Sequence, residues 1–128
     1  MRELAHGKLF LGGHSYGGRQ ATMLAAADPS VCDALLILAY PLHPPKKPEQ
    51  LRIAHLPQLK TPAFFVQGTR DPFATIDEIT KYIAVIPASH QLEVLEGSGH
   101  DLLGRKPGEQ LSAQIASRFL GFISGAIE

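Results

Sequence analysis

The chain has 128 residues, 45% of them apolar and 19% charged, which suits one domain with a modest core and is globular rather than disordered. Twelve basic and twelve acidic side chains cancel, and no basic cluster extends beyond Lys46-Lys47, so the electrostatic footprint of nucleic-acid binding is missing. The single cysteine, Cys32, excludes an internal disulfide framework, and the longest apolar run, Ala34 to Tyr40, is too short to span a bilayer.

Residues 1–7 read as an exposed lead-in, with an acid and a histidine where a signal peptide needs an apolar run, so a soluble cytoplasmic protein without membrane contact is expected. Lys8 to Gly12 forms the first expected strand and leads into Gly13-His14-Ser15-Tyr16-Gly17-Gly18. Tyr16 to Ala27 reads as a helix whose small residues, Ala21, Ala25 and Ala26, suit close packing on a sheet, and Asp28-Pro29 ends it. The continuous apolar run Ala34 to Tyr40 is the pattern of a strand covered on both faces.

Four prolines then fall within Pro41 to Pro48, which excludes helix and central strand because proline lacks an N–H and has a fixed φ. A stiff loop is expected there, followed by a short helix within Glu49 to Leu59. Ala63 to Gln67 is the third strand, and Gly68-Thr69-Arg70-Asp71-Pro72 ends it. Thr75 to Ile86 has helical spacing of Ile76, Ile79, Ile83 and Ile86; Gln91 to Leu95 alternates as a fourth strand and runs into Gly97-Ser98-Gly99-His100-Asp101. Glu109 to Ile127 is a terminal amphipathic helix with Leu111, Ile115, Phe119 and Phe122 on one face. Four βα units of this length imply an α/β fold, a parallel sheet of about four strands flanked by helices, in one domain over 1–128.

The serine between Gly13 and Gly17 sits where a strand turns directly into a helix, the context in which G-x-S-x-G lifts a nucleophilic hydroxyl above the sheet. Gly13 and Gly17 supply the room, having no Cβ to collide where strand and helix converge. Taken alone, the pentapeptide also fits an ordinary turn whose serine caps the helix. It does not stand alone. In a parallel sheet the loops beyond the carboxyl ends of strands gather functional groups, and Ser15, Asp71 and His100 follow the first, third and fourth strands. A serine hydroxyl becomes a useful nucleophile when a neutral imidazole accepts its proton and a carboxylate fixes that imidazole's tautomer. Asp101 and Asp77 are the other carboxylates available, although neither follows the third strand. His14 and His43 are candidates to line a substrate pocket, beside the turn and in the proline loop respectively.

Two nucleotide motifs fail. Gly13 to Gly18 has the spacing of a phosphate-binding loop, but Arg19-Gln20 stands where lysine and Ser/Thr belong. The glycines miss G-x-G-x-x-G, and no acidic residue ends the second strand to hold a ribose. His6, His55 and His90 have no metal-site spacing, so neither metal nor cofactor is expected.

Gly12-Gly13-His14-Ser15-Tyr16-Gly17-Gly18-Arg19, Tyr40-Pro41-Leu42-His43-Pro44-Pro45, Gly68-Thr69-Arg70-Asp71-Pro72-Phe73 and Gly97-Ser98-Gly99-His100-Asp101 together resemble the C-terminal half of an α/β-hydrolase. The resemblance is nearest to small dienelactone-hydrolase-like members, and within them to the branch with testis-expressed and chromatin-complex-subunit relatives. It implies Ser15 as nucleophile, Asp71 as orienting acid, His100 as base, and the backbone N–H of Tyr16 as one oxyanion donor. Dienelactone hydrolases proper use cysteine as nucleophile, so serine implies hydrolysis of a carboxylic ester or similar small acyl substrate. A complete member has further strands ahead of the serine-bearing one, and the loop that gives the second oxyanion donor. Loss of one such donor costs on the order of a hundred- to a thousandfold in rate. The chain is accordingly read as a truncated domain: either a second copy or a partner chain covers its first-strand edge, or the chain is a fragment of a longer gene product. A non-catalytic interaction module that keeps the three residues is the alternative.

Overall fold

The computed structural model describes residues 8–102 and 109–127. Four strands, β1 (Phe10–His14), β2 (Ala34–Leu38), β3 (Ala63–Gly68) and β4 (His90–Leu95), pair in the spatial order β1-β2-β3-β4. Every pairing is parallel, as expected for strands joined by crossovers. Helix α1 (Tyr16–Ala27) follows β1, α2 (Ile76–Ile83) precedes β4, and α3 (Glu109–Ile127) ends the described chain.

The alternation of side chains along the two central strands builds a core on each face. Leu35, Ile37, Ala63 and Phe65 point to one face, where Ala21 and Ala25 of α1 and Ile79 and Ile83 of α2 cover them. Ala34, Phe64 and Val66 point to the other, against Ile115, Phe119 and Ile123 of α3. The ring of Phe64 lies 5.6 Å from Phe122 and 6.0 Å from Phe119, so the aromatic spacing along α3 matches one strand position. Covered on both sides, β2 and β3 tolerate continuous apolar sequence.

Several boundaries differ from the sequence expectation. β1 begins and ends two residues later than the expected Lys8 to Gly12, because Gly13 and His14 pair in register with Ile37 and Leu38 and so belong to the sheet. No α-helix forms within Glu49 to Leu59. The prolines reduce the β2–β3 crossover to loop and one 3-10 turn, Leu56–Gln58, which includes Pro57. The fourfold βα repeat is therefore interrupted, and three α-helices flank the sheet among the described residues. Thr75 is the cap rather than a member of α2. Its hydroxyl accepts from the Glu78 amide while the Glu78 carboxylate accepts from the Thr75 amide. The reading of residues 1–7 falls outside the described residues.

The proline-rich loop is pinned from within. Ala39 takes a left-handed φ of 54° directly after β2, and the Tyr40 hydroxyl donates to the Arg52 carbonyl at 2.6 Å. Burial pushes the Tyr40 hydroxyl up to about 12, so it stays a donor throughout the working pH range. Among the described residues, β1 has no neighbour on its outer side, and Phe10 at that edge is 37% exposed. No helix of the described residues is long and apolar enough to cross a membrane.

Candidate active site

The chain reverses at Ser15 with φ 55° and ψ −121°, a conformation rarely held by a non-glycine residue, worth on the order of 1–3 kcal/mol of strain. Two contacts impose it. The Ser15 amide donates to the Leu38 carbonyl at 2.8 Å, and the Ser15 carbonyl accepts from the Arg19 amide at 3.0 Å. The space is made by Gly13 and Gly18. A Cβ on Gly13 would stand 2.6 Å from the Gly17 carbonyl oxygen, and one on Gly18 would stand 2.8 Å from the Gly13 oxygen. Gly17, expected to carry this constraint, has open space where its Cβ would be.

Although Ser15 occupies the N-cap position of α1, its side chain makes no capping bond. Oγ instead lies 2.6 Å from Nε2 of His100. The His100 Nδ1 lies 2.8 Å from Oδ2 of Asp71, whose side chain is fully buried. A carboxylate only accepts, so Nδ1 carries the proton and the neutral ring's Nε2 is left to accept from the serine hydroxyl. The three residues thus form one directed chain from hydroxyl to imidazole to carboxylate, with the polarity that raises the nucleophilicity of a serine oxygen. Tyr16 opens α1, so no intrahelical carbonyl reaches its N–H.

Two supporting residues were not legible in the sequence. Gln67, fully buried at the end of β3, donates through Nε2 to Asp71 Oδ2 at 3.0 Å and accepts the Tyr40 amide at 3.2 Å. Phe73 donates its amide to Asp71 Oδ1 at 2.8 Å, and its ring stacks on His100 with centroids 4.0 Å apart and planes at 27°. The available signal was a lone polar residue ending an otherwise apolar strand, and an aromatic two positions beyond the acid. Neither Asp101 nor Asp77 takes the place of Asp71 at the His100 ring.

Both expected pocket histidines turn to protein partners. His14 Nε2 donates to the His100 carbonyl at 2.8 Å. His43 is buried, with Nδ1 2.8 Å from the Pro44 carbonyl and Nε2 2.9 Å from Glu78 Oε1. Since both partners accept, His43 satisfies both together only as the imidazolium, donating from each nitrogen. Burial works against that charge, but the Glu78 and Pro44 hydrogen bonds and the negative charges of Glu78 and Glu49 outweigh it and raise the pKa. Glu78 is lowered correspondingly, first by the Thr75 amide and then by His43. Among the described residues no three His, Cys, Asp or Glu side chains gather as ligands for a metal ion. A groove lined by Ser89, Gln91, Gly121, Phe122 and Gly125 lies at the start of β4, the opposite end of that strand from His100.

A four-stranded parallel sheet with helices on both faces and a strained serine at a strand–helix turn defines an α/β-hydrolase architecture. The chain belongs to the alpha/beta hydrolase domain family, whose model matches residues 1–127. It is similar in fold to a dienelactone hydrolase from Anabaena variabilis, with 24% identity, a TM-score of 0.68, and coverage of 92% of this chain and 50% of that one. An alpha-beta serine hydrolase homologue from Coxiella burnetii gives 18% identity and a TM-score of 0.67, covering 91% of this chain and 51% of that one. A monoacylglycerol lipase from Paleococcus ferrophilus gives 12% identity and 0.72, covering 95% and 70%. The chain therefore spans about half the length of the first two.

Proposed function

We propose that the protein is a serine hydrolase that cleaves a carboxylic ester or similar small acyl substrate. In this reading Ser15 Oγ attacks the carbonyl carbon while His100 Nε2 takes its proton, and Asp71 stabilises the resulting imidazolium. The tetrahedral oxyanion is met by the Tyr16 N–H. Collapse returns the proton from His100 to the leaving alcohol and leaves an acyl-Ser15. Water then attacks the acyl carbon, gives its proton to His100, and the acid departs as Ser15 recovers its hydrogen. One observation carries the reading. Ser15 forgoes the helix-capping bond open to it, at the cost of a strained backbone, and bonds to His100 instead.

The dienelactone-hydrolase-like motifs support a small acyl substrate, and they support the narrower branch with testis-expressed relatives. A second reading, a non-catalytic interaction module, is favoured by the unpaired outer side of β1 with its exposed Phe10. A second copy or partner chain added along that edge would complete the sheet. Intact mass after treatment with a fluorophosphonate probe separates the two. One adduct on the parent and none on Ser15→Ala or His100→Ala supports the hydrolase. A well-folded parent that takes no adduct supports the module.

A further inference from the structure

Ser15 and His100 begin on opposite edges of the sheet, since β1 and β4 are its outer strands. With neighbouring strands about 4.8 Å apart, roughly 14 Å separates the two strand ends. The segment after β4 must cross the ends of β3 and β2 before its imidazole meets the serine. Its first part is tied to the loop after β3, through the Gly97 amide to Thr69 Oγ1 at 2.7 Å and the Arg70 amide to the Ser98 carbonyl at 2.8 Å. Between the Ser98 tie and His100 stands only Gly99, which has no side chain to narrow its choice of φ and ψ. The His100 carbonyl is tied from the far edge, where His14 Nε2 donates to it at 2.8 Å, while the ring is held by Asp71 and Phe73.

We propose that His14 is a positioning residue for His100, a role that rests on the reading in which Ser15 is the nucleophile. His14 is the last residue of β1 and adjoins Ser15, so one strand end presents the hydroxyl and holds the backbone of the group that receives its proton. The carbonyl only accepts, so His14 carries hydrogen on Nε2. The side chain is exposed and belongs to neither apolar core, so core packing does not account for its placement. Its ring stands 5.4 Å from that of His100 at 48°, too tilted for stacking to replace the hydrogen bond. Without this tie the His100 main chain loses its link to β1 and its placement depends on Asp71 and Phe73, and a displacement of about 1 Å in a reacting group can cost a hundredfold in rate.

The test uses the whole protein with ¹⁵N-labelled histidine, in parent, His14→Ala and His14→Gln forms. The glutamine amide can donate from nearly the place of Nε2. Nitrogen spectra of the parent are expected to show His14 protonated on Nε2, with a downfield proton on His100 Nδ1. His14→Ala is expected to lose that proton to exchange with the remaining amide spectrum unchanged, and His14→Gln to keep it. Fluorophosphonate labelling is expected to slow about tenfold to a hundredfold in the alanine variant and to recover in the glutamine variant. A His14 protonated on Nδ1 alone, or an alanine variant that keeps the His100 proton, overturns the proposal. A parent that takes no probe overturns the nucleophile assignment, while the nitrogen spectra still decide whether His14 fixes His100.

Discussion

Gln67 donates to the same carboxylate oxygen of Asp71 that receives His100 Nδ1. Its own oxygen accepts the amide of Tyr40, so one buried side chain joins the exit of β2 to the acid that follows β3. Replacement by leucine keeps the volume but leaves the Tyr40 N–H without its acceptor and removes one donor from Asp71. An unsatisfied buried donor costs about 1–3 kcal/mol, so Gln67→Leu is expected to lower the urea midpoint with an unchanged m-value. A fully retained midpoint would mean that water or a backbone shift replaces the amide.

The glycines around Ser15 divide sharply. A Cβ on Gly13 meets backbone atoms of Gly17 and Gly18 inside any ordinary contact distance, and backbone cannot swing aside. Gly13→Ala is expected to be severely destabilising, because it separates strand from helix. Gly17→Ala meets open space inside α1, where alanine is favoured over glycine by about 1 kcal/mol, and is expected to be neutral or stabilising. Thermal unfolding of the two variants side by side checks this. Equal losses would mean that the turn needs glycine at both places.

That division also marks how far the sequence could be read. The bounds of α1 were legible because β1, Gly13, Ser15 and Asp28-Pro29 punctuate both ends of a small-residue helix. The two central strands were legible because burial on both faces leaves an uninterrupted apolar run. Ser15, Asp71 and His100 could be placed at one end of the sheet because parallel pairing sends every strand's carboxyl end the same way. What failed depends on contacts between segments distant in sequence. Which glycine carries the steric constraint is decided by the approach of Gly18 to Gly13, a geometry that the G-x-S-x-G spacing does not contain. The expected helix before Leu59 ignored that its residues are drawn across a loop already fixed by Tyr40 and Arg52. Gln67 and Phe73 matter also through partners on other strands and loops, Tyr40 and His100, which a lone polar residue in an apolar strand and an aromatic two positions past the acid do not specify.

The strain at Ser15 gives a prediction independent of substrate. Ser15→Ala and Ser15→Gly both remove Oγ, and neither is expected to form a fluorophosphonate adduct. They differ in backbone freedom, since alanine must hold φ 55° and glycine adopts it freely. Against this, glycine loses more conformational entropy on folding. The relief of about 1–3 kcal/mol is expected to win, leaving Ser15→Gly more stable than Ser15→Ala by about 1 kcal/mol in urea unfolding. The reverse order would show that the turn relaxes when the side chain is cut.

His43 and Glu78 define a pH window. The pair fastens the proline loop to the first turn of α2, and the His43 amide also donates to the carbonyl of Phe73, two residues past Asp71, at 3.1 Å. The His43 pKa is raised on folding, so its contribution is complete below the ordinary histidine value of 6.5 and fades as pH rises through the folded value. The Glu78 pKa is lowered, so its contribution is complete above the ordinary 4.5 and fades as pH falls through the folded value. Both are complete between these two ordinary values, where an imidazolium faces a carboxylate. The stability difference between parent and His43→Gln, measured by urea unfolding across pH, is therefore expected to peak in that window. It should decline toward alkaline pH as the histidine loses its proton and one of its two acceptors loses its donor. A difference that keeps growing above pH 7 would instead mean that the neutral ring is the stabilising form, and the assignment of His43 as imidazolium would be wrong.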